Sequence, residues 1–375
     1  MVRTAALKLK NRVLGTKSGN STGASIGTAA AVSAPVKPTY RKVSKLKQKE
    51  ARTGWMYAMP ALLLLILFQL WPMLFGLWIS FWKWGFVPEK FIGLDNYARI
   101  FLREIFYIDP DRGFRIGEIG QSIIVTIYYA IGTIPVSIVL AFIIAYFLFQ
   151  SIKGKAMLRT IFFLPFITSQ VAAAIVFKWI FHPNVGIANS VMESVGLKKQ
   201  NWLVDPDPIF SKWLALIGLK WPSWLPIELG GPTYALLIIM LFTVWGSVGF
   251  NIVIFLAGLS NISKELYEAA KIDGARTTAL IRHVTLPLIS PMLFLLTIVS
   301  VIGSFESFNA FYVFTNGEGG PRGSTMSLPL YIFRAFYTYG QVGYAAAVSM
   351  FLFVILLALT WVQYRFGEKR VHYQR

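Results

Sequence analysis

Of the 375 residues of this chain, 55% are hydrophobic and only 14% charged, and the mean hydropathy is +0.58; an ordinary soluble domain carries about 25% charged residues, so that class is excluded. The 36 Lys+Arg outweigh 17 Asp+Glu to give a net charge of +19, which alone would suggest nucleic-acid binding but, beside so much apolar sequence, reads as basic segments on one side of a bilayer. The absence of cysteine excludes a disulfide scaffold, a thiolate metal site and cysteine catalysis, and His182, His283 and His372 are too scattered to form a metal cluster.

Residues 1–54 hold 12 Lys/Arg and one acid, Glu50, around a Ser/Gly/Thr/Ala-rich centre. Such a stretch buries too little apolar area to offset its ordering entropy, so a disordered basic cytoplasmic tail is expected. Within it, 41–52 is dense enough in Lys to lie as a short helix on anionic headgroups. The first apolar run starts only at residue 55, which argues against a signal peptide.

A spanning helix needs about 20 predominantly apolar residues. Charge-free runs of that length cover 55–82, 119–152, 229–262 and 335–364; two more cover about 157–181, with Lys178 near its exit, and about 286–314, with Glu306 inside. The expected fold is therefore all-α, a polytopic membrane protein with six transmembrane helices in residues 55–375. The tail, the 151–160 loop, the 258–286 loop and the C-terminus together hold 23 Lys/Arg, against 12 in the alternate loops. The positive-inside rule then places both termini in the cytoplasm.

Polar residues inside the spans are the informative ones. Glu306 either bonds a neighbouring helix or faces a cavity. Ser300, Ser304 and Ser307 share one helix face, suited to helix–helix contact or to a cavity wall. Lys178 beside Trp179 reads as an interfacial, snorkelling pair.

The 258–287 loop reads as two short soluble helices. Ser263 stands at an N-cap position, Glu265 in a first turn and Gly274 at a stop; a second helix from about Thr277 to His283 should end before Pro287.

At this point the sequence resembles a family. Glu268-Ala269-Ala270, then Gly274, then Leu286-Pro287 is similar to the EAA loop of binding-protein-dependent ABC importer permeases, with Val284 in place of the usual Ile. Further matching stretches are Gly93-Leu-Asp-Asn-Tyr97, Leu164-Pro165-Phe166, Phe177-Lys-Trp-Ile-Phe181 and Gly319-Gly320-Pro321. The likeness is greatest to the carbohydrate-uptake branch, the maltose-type, MalF-like sugar permease. It implies a type I importer (MetI-like) transmembrane domain in a bacterial cytoplasmic membrane. It also implies a heterodimer with a second EAA-type permease subunit, an ABC ATPase dimer docked on the loop, and an extracytoplasmic solute-binding protein that delivers a sugar. Glu268, Ala269, Ala270, Asp273, Gly274, Leu286 and Pro287 would couple to the ATPase. ATP and Mg would be bound by that partner, and no cofactor or catalytic residue is expected in this chain, which lacks Gly-x4-Gly-Lys-Ser/Thr. By position relative to the matched stretches, the substrate pathway would hold Phe166, Gln170, Gly246, Ser247, Phe250, Ser300, Gly303, Ser304 and Ser307, with Glu306 beside them. Another polar solute, such as glycerol-phosphate, is the alternative cargo within the same class. A membrane enzyme is disfavoured because no His-Glu-x-x-His occurs and Glu306 is the one acid within the apolar runs.

Overall fold

The computed structural model describes residues 45–109, 113–150, 152–222 and 224–371. The chain divides into two units, Met1–Leu62 and Leu63–Arg375. Helix α1 (Lys45–Leu65) starts ten residues before the first expected span, inside the stretch read as tail; the remainder of that reading, 1–44, lies outside the described residues. A π-helical turn, Ile66–Leu70, leads into α2 (Trp71–Ile79), so that the first candidate span is Lys49–Ile79. The widened turn just before Pro72 accommodates a residue that has no N–H to give to a helical ladder.

The loop that follows carries regular structure of its own. Strands β1 (Trp82–Trp84) and β2 (Pro88–Phe91) form one antiparallel hairpin, with Trp82 opposite Phe91 and their rings 5.5 Å apart. Then come α3 (Asp95–Arg99) and a second hairpin of β3 (Phe106–Asp109) and β4 (Gly113–Ile116). Short aromatic cross-strand pairs supply these hairpins, a period-2 signal too brief to stand out beside the long apolar runs. The Asp-Asn-Tyr stretch has a mechanical role here. Asn96 donates to the carbonyls of Ser80 (2.8 Å) and Trp82 (3.2 Å), and the Tyr97 hydroxyl meets that of Ser80 at 2.7 Å, which pins α3 to the end of α2.

Helix α4 (Glu118–Phe149) is the second span; α5 (Lys155–Ile167) and α6 (Gln170–Ile180) follow, then the short α7 (Ile187–Ser194) and α8 (Ile209–Leu216), and α9 (Tyr234–Ser260) is another full span. After α10 (Lys264–Ile272), α11 (Thr277–Leu280) and α12 (Leu286–Leu288) lead to α13 (Ser290–Phe305), α14 (Asn309–Thr315), α15 (Leu328–Phe333) and the last span, α16 (Val342–Gly367). Four spans are thus single helices. The third and fifth expected spans are bent pairs: α5 and α6 meet at 92°, and Thr277–Leu288 meets α13 at 66°. Both bends have local causes. Thr168 is extended (φ −74°, ψ 145°), and Ser169 caps α6 by accepting from the Ala172 N–H. Ile289 lies between Pro287 and Pro291, neither of which can donate to a helical ladder. The fifth run also stops early, at Phe305, and resumes as α14 only after Glu306-Ser307-Phe308.

Helices α4 and α9 form the centre. In one cluster Tyr129, Leu236, Ile239 and Phe242 meet Phe311 and Phe314 of α14 and Leu328 and Leu330 of α15; in the other, Ala141, Ala145 and Leu148 face Ile252, Phe255 and Leu259, closed by Ile289 and Leu296. Lipid is as apolar as these side chains, so close dispersion contact rather than transfer from water holds the helices together. Glycine permits the closest approach: a Cβ on Gly249 would lie 2.5 Å from the Phe162 carbonyl oxygen of α5. Phe68, Trp71, Leu74, Val354, Leu357 and Trp361 are exposed, an apolar surface suited to hydrocarbon.

Lys178 differs from its expected snorkelling role. Its ammonium donates to the Val313 carbonyl at 3.2 Å and to Asn316 Oδ1 at 2.6 Å, at the C-terminal end of α14. A cation there answers the negative end of the helix dipole and ties α6 to α14. Lys178→Met is expected to lower stability by about 1–2 kcal/mol, read as a fall of a few degrees in the melting temperature of the detergent-solubilised protein. An unchanged melting temperature would remove this tie.

Candidate functional site

The 258–287 segment presents two faces. Inward, the Tyr267 hydroxyl meets Thr285 Oγ1 at 3.1 Å and its ring lies 6.2 Å from that of Phe149, which anchors α10 to the spans. Outward, Leu266, Glu268, Ala269, Ile272 and Asp273 are exposed, and Ile272 keeps 86% of its surface open. With Leu266 and Ala269 at i−6 and i−3, Ile272 gives the helix a contiguous apolar strip suited to a partner. The helix ends as its sequence dictates: Gly274 takes φ +81°, its N–H bonds the Lys271 carbonyl, and the Ala275 N–H bonds the Ala270 carbonyl at 2.9 Å. This paired closure requires a left-handed residue, which glycine supplies without strain. Two local expectations differ. Ser263 occupies the N-cap position but makes no side-chain cap bond. The second helix does not stop before Pro287: a π-helical turn, Ile281–Thr285, widens the ladder, and the helix continues through Pro287 to Leu288. Of the seven residues assigned to coupling, Glu268, Ala269, Asp273 and Gly274 are exposed, Ala270 is half-buried, and Leu286 and Pro287 sit half-buried beneath. Leu286 packs on the second core cluster rather than on the outer face.

The second feature is a cavity of about 430 Å³. All ten residues assigned to the substrate pathway line it: Phe166 and Gln170 flank the α5–α6 bend, Gly246, Ser247 and Phe250 come from α9, and Ser300, Gly303, Ser304, Glu306 and Ser307 come from α13 and the break after it. The bend in the third span carries Phe166 and Gln170 to this wall, and Thr168 between them lines it too. The rings of Phe166 and Phe250 stack 5.2 Å apart, 27° from parallel, giving a flat apolar face. Cβ atoms placed on Gly246 and Gly303 would meet nothing within 4 Å, so both glycines open into the cavity. Of the serine face, Ser304 is buried and donates to the Ser300 carbonyl at 2.8 Å. Glu306 ends α13, is exposed, and makes no side-chain hydrogen bond or ion pair among the described residues, so the cavity-facing alternative is the one observed.

One wall escaped the sequence reading. Tyr129, Thr133 and Ser137 of α4 also line the cavity; the Tyr129 hydroxyl lies 2.9 Å from Thr243 Oγ1 and 3.1 Å from Ser307 Oγ, joining α4 to α9 and to the break after α13. Their spacing of four residues is a polar stripe on one helix face, the signal that could have found them. Asn251 and Asn309 line it as well, and Asn251 Nδ2 is buried without a partner among the described residues.

Residues 112–372 match the model of a family described as the binding-protein-dependent transport system inner membrane component. The chain is 31% identical over 335 residues to a probable ABC transporter permease protein, YesP, of Bacillus subtilis, covering 89% of this chain and 96% of that protein. It is 30% identical over 330 residues to the trehalose/maltose transport system permease protein MalF of Thermococcus litoralis, covering 87% and 97%. The crystal structure of a bacterial ABC transporter involved in the import of the acidic polysaccharide alginate superposes with a TM-score of 0.65 at 21% identity, covering 87% of this chain and 99% of that one, a likeness of fold. A multi-pass helical membrane chain with this match belongs to the binding-protein-dependent transport system inner membrane component family, the permeases of ABC importers.

Proposed function

We propose that this chain is one of two permease subunits of an ATP-driven importer for a neutral sugar, and that the 430 Å³ cavity is its half of the pathway. The observation that carries this reading is the chemistry of the wall. Stacked Phe166 and Phe250 suit the C–H face of a sugar ring, and hydroxyl and amide groups from five helices suit its OH groups. The likeness to a trehalose/maltose permease supports the same cargo. An anionic cargo such as glycerol-phosphate would want a cation in the wall, and among the described residues neither Lys nor Arg lines the cavity. The exposed α10 face is read as the dock for a separate ATPase dimer, which binds ATP and Mg and does the hydrolysis; this chain contributes motion, not catalysis. ATP-driven closure of that dimer would rock the 258–287 segment and open the pathway outward, toward an extracytoplasmic solute-binding protein. The basic termini then lie in the cytoplasm of a bacterium, with 55–375 as the membrane domain. The test is ATP-dependent uptake by proteoliposomes holding this chain, its companion permease, ATPase and binding protein, across radiolabelled neutral mono- and disaccharides. Accumulation of one of them supports the reading. Uptake of a phosphorylated solute with no neutral sugar transported would overturn it.

A further inference from the structure

Six of the nine hydroxyl groups that line the cavity point their hydrogens away from it. Thr133, Ser137, Thr168, Thr243, Ser247 and Ser304 each donate to a carbonyl three or four residues back on their own helix, at 2.7 to 3.3 Å. A hydroxyl has one hydrogen and two lone pairs, so lone pairs are what remain for a solute. Glu306 adds an acceptor-only carboxylate at the C-terminal end of α13, where the helix dipole is also negative. Among the described residues no lysine or arginine lines the cavity, and Glu306 is the one charged residue that does. The donors left on the wall are neutral: the amides of Gln170, Asn251 and Asn309, the Trp245 indole N–H and the hydroxyls of Ser300 and Ser307; they can meet a hydroxyl oxygen but do not offset a full negative charge.

We propose that Glu306 makes this cavity a charge filter, admitting solutes rich in hydroxyl or ammonium donors and turning away carboxylates, sulfonates and phosphates. The inference rests on the reading of the cavity as the solute pathway and adds to it the specificity-determining residue. A carboxylate accepts two adjacent hydroxyls at once through its two oxygens, which suits the vicinal diol of a sugar. An anionic solute meets the same carboxylate, the helix end and the lone pairs of those six hydroxyls, with no lining cation among the described residues to compensate.

The chain has no cysteine, so a single introduced thiol reports the cavity's charge without knowledge of the cargo. Gly303→Cys stands three residues before Glu306, where an added Cβ meets nothing within 4 Å. In the assembled importer with cysteine-free partners, its modification is timed with cationic trimethylammonioethyl, neutral hydroxyethyl and anionic sulfonatoethyl methanethiosulfonates, each referenced to a free thiol in solution. The cationic reagent is expected to outpace the anionic one by about tenfold or more. Adding Glu306→Gln should bring the ratio to within about twofold of the free thiol's. Equal rates in the single variant, as a cation supplied by the companion subunit would produce, or a ratio that Glu306→Gln leaves unchanged, overturns the filter. No reaction even with the neutral reagent overturns the underlying pathway reading and the filter with it. Gly246→Cys, equally open on the α9 wall, repeats the measurement where folding around residue 303 is untouched.

Discussion

Gly303→Trp is expected to reduce uptake to background while the importer still assembles and its binding-protein-stimulated ATPase stays within about threefold of the parent. The separation follows from where residue 303 stands. A Cβ there meets open space, so the indole projects into the 430 Å³ cavity instead of displacing a neighbour. Ser304, one residue on, is buried and bonded to Ser300, so a large side chain there would disturb packing as well as passage. Gly249→Trp makes the contrasting control: its Cβ would already lie 2.5 Å from the Phe162 carbonyl oxygen, and overpacking against a backbone atom cannot relax by a rotamer change. That variant is expected to lose assembly altogether, seen as loss of the complex peak in size-exclusion chromatography. Normal uptake by an assembled Gly303→Trp importer would take this cavity off the solute's route.

The spans were legible because hydropathy over about 20 residues reports membrane burial, and four of the six runs are single helices. Direction was not, because an apolar run looks the same straight or bent. The breaks at Ser169 and Ile289 depend on a serine cap and flanking prolines, local signals that a sliding average removes. The coupling loop was legible for the opposite reason. Its Gly274 stop is a single-residue conformational demand, and the residue takes φ +81°. Lys178 could not be read from its neighbours, since its partner Asn316 lies 138 positions away and only tertiary packing brings them together. The α4 wall was missed through a choice of scale: the charge-free run 119–152 was read for its length, while Tyr129, Thr133 and Ser137 within it carried the polar stripe. The cavity positions from α5, α9 and α13 were found because matched stretches located them, not because their residue types are distinctive.

Glu268→Lys is expected to release the ATPase. Under the proposed docking, α10 offers an exposed carboxylate within an apolar patch that includes Leu266, Ala269 and Ile272. On association that patch desolvates, and a paired charge within a dried interface is worth more than one at its rim. Truncating one partner of such a pair costs about 2–5 kcal/mol, and reversing its sign adds repulsion, so affinity should fall at least about thirtyfold and uptake should fall with it. The helix itself should survive. Glu268 makes no hydrogen bond or ion pair among the described residues, whereas α10 is held by Tyr267 against Thr285 and by the closure at Gly274 and Ala275. Ile272→Ser separates the two contributions: it should weaken docking through lost apolar contact with little dependence on salt, while the loss in Glu268→Gln should shrink as ionic strength rises. Co-purification of the ATPase with each variant, titrated against salt, reads both. Full retention of the ATPase by Glu268→Lys would mean that docking does not use this face of α10.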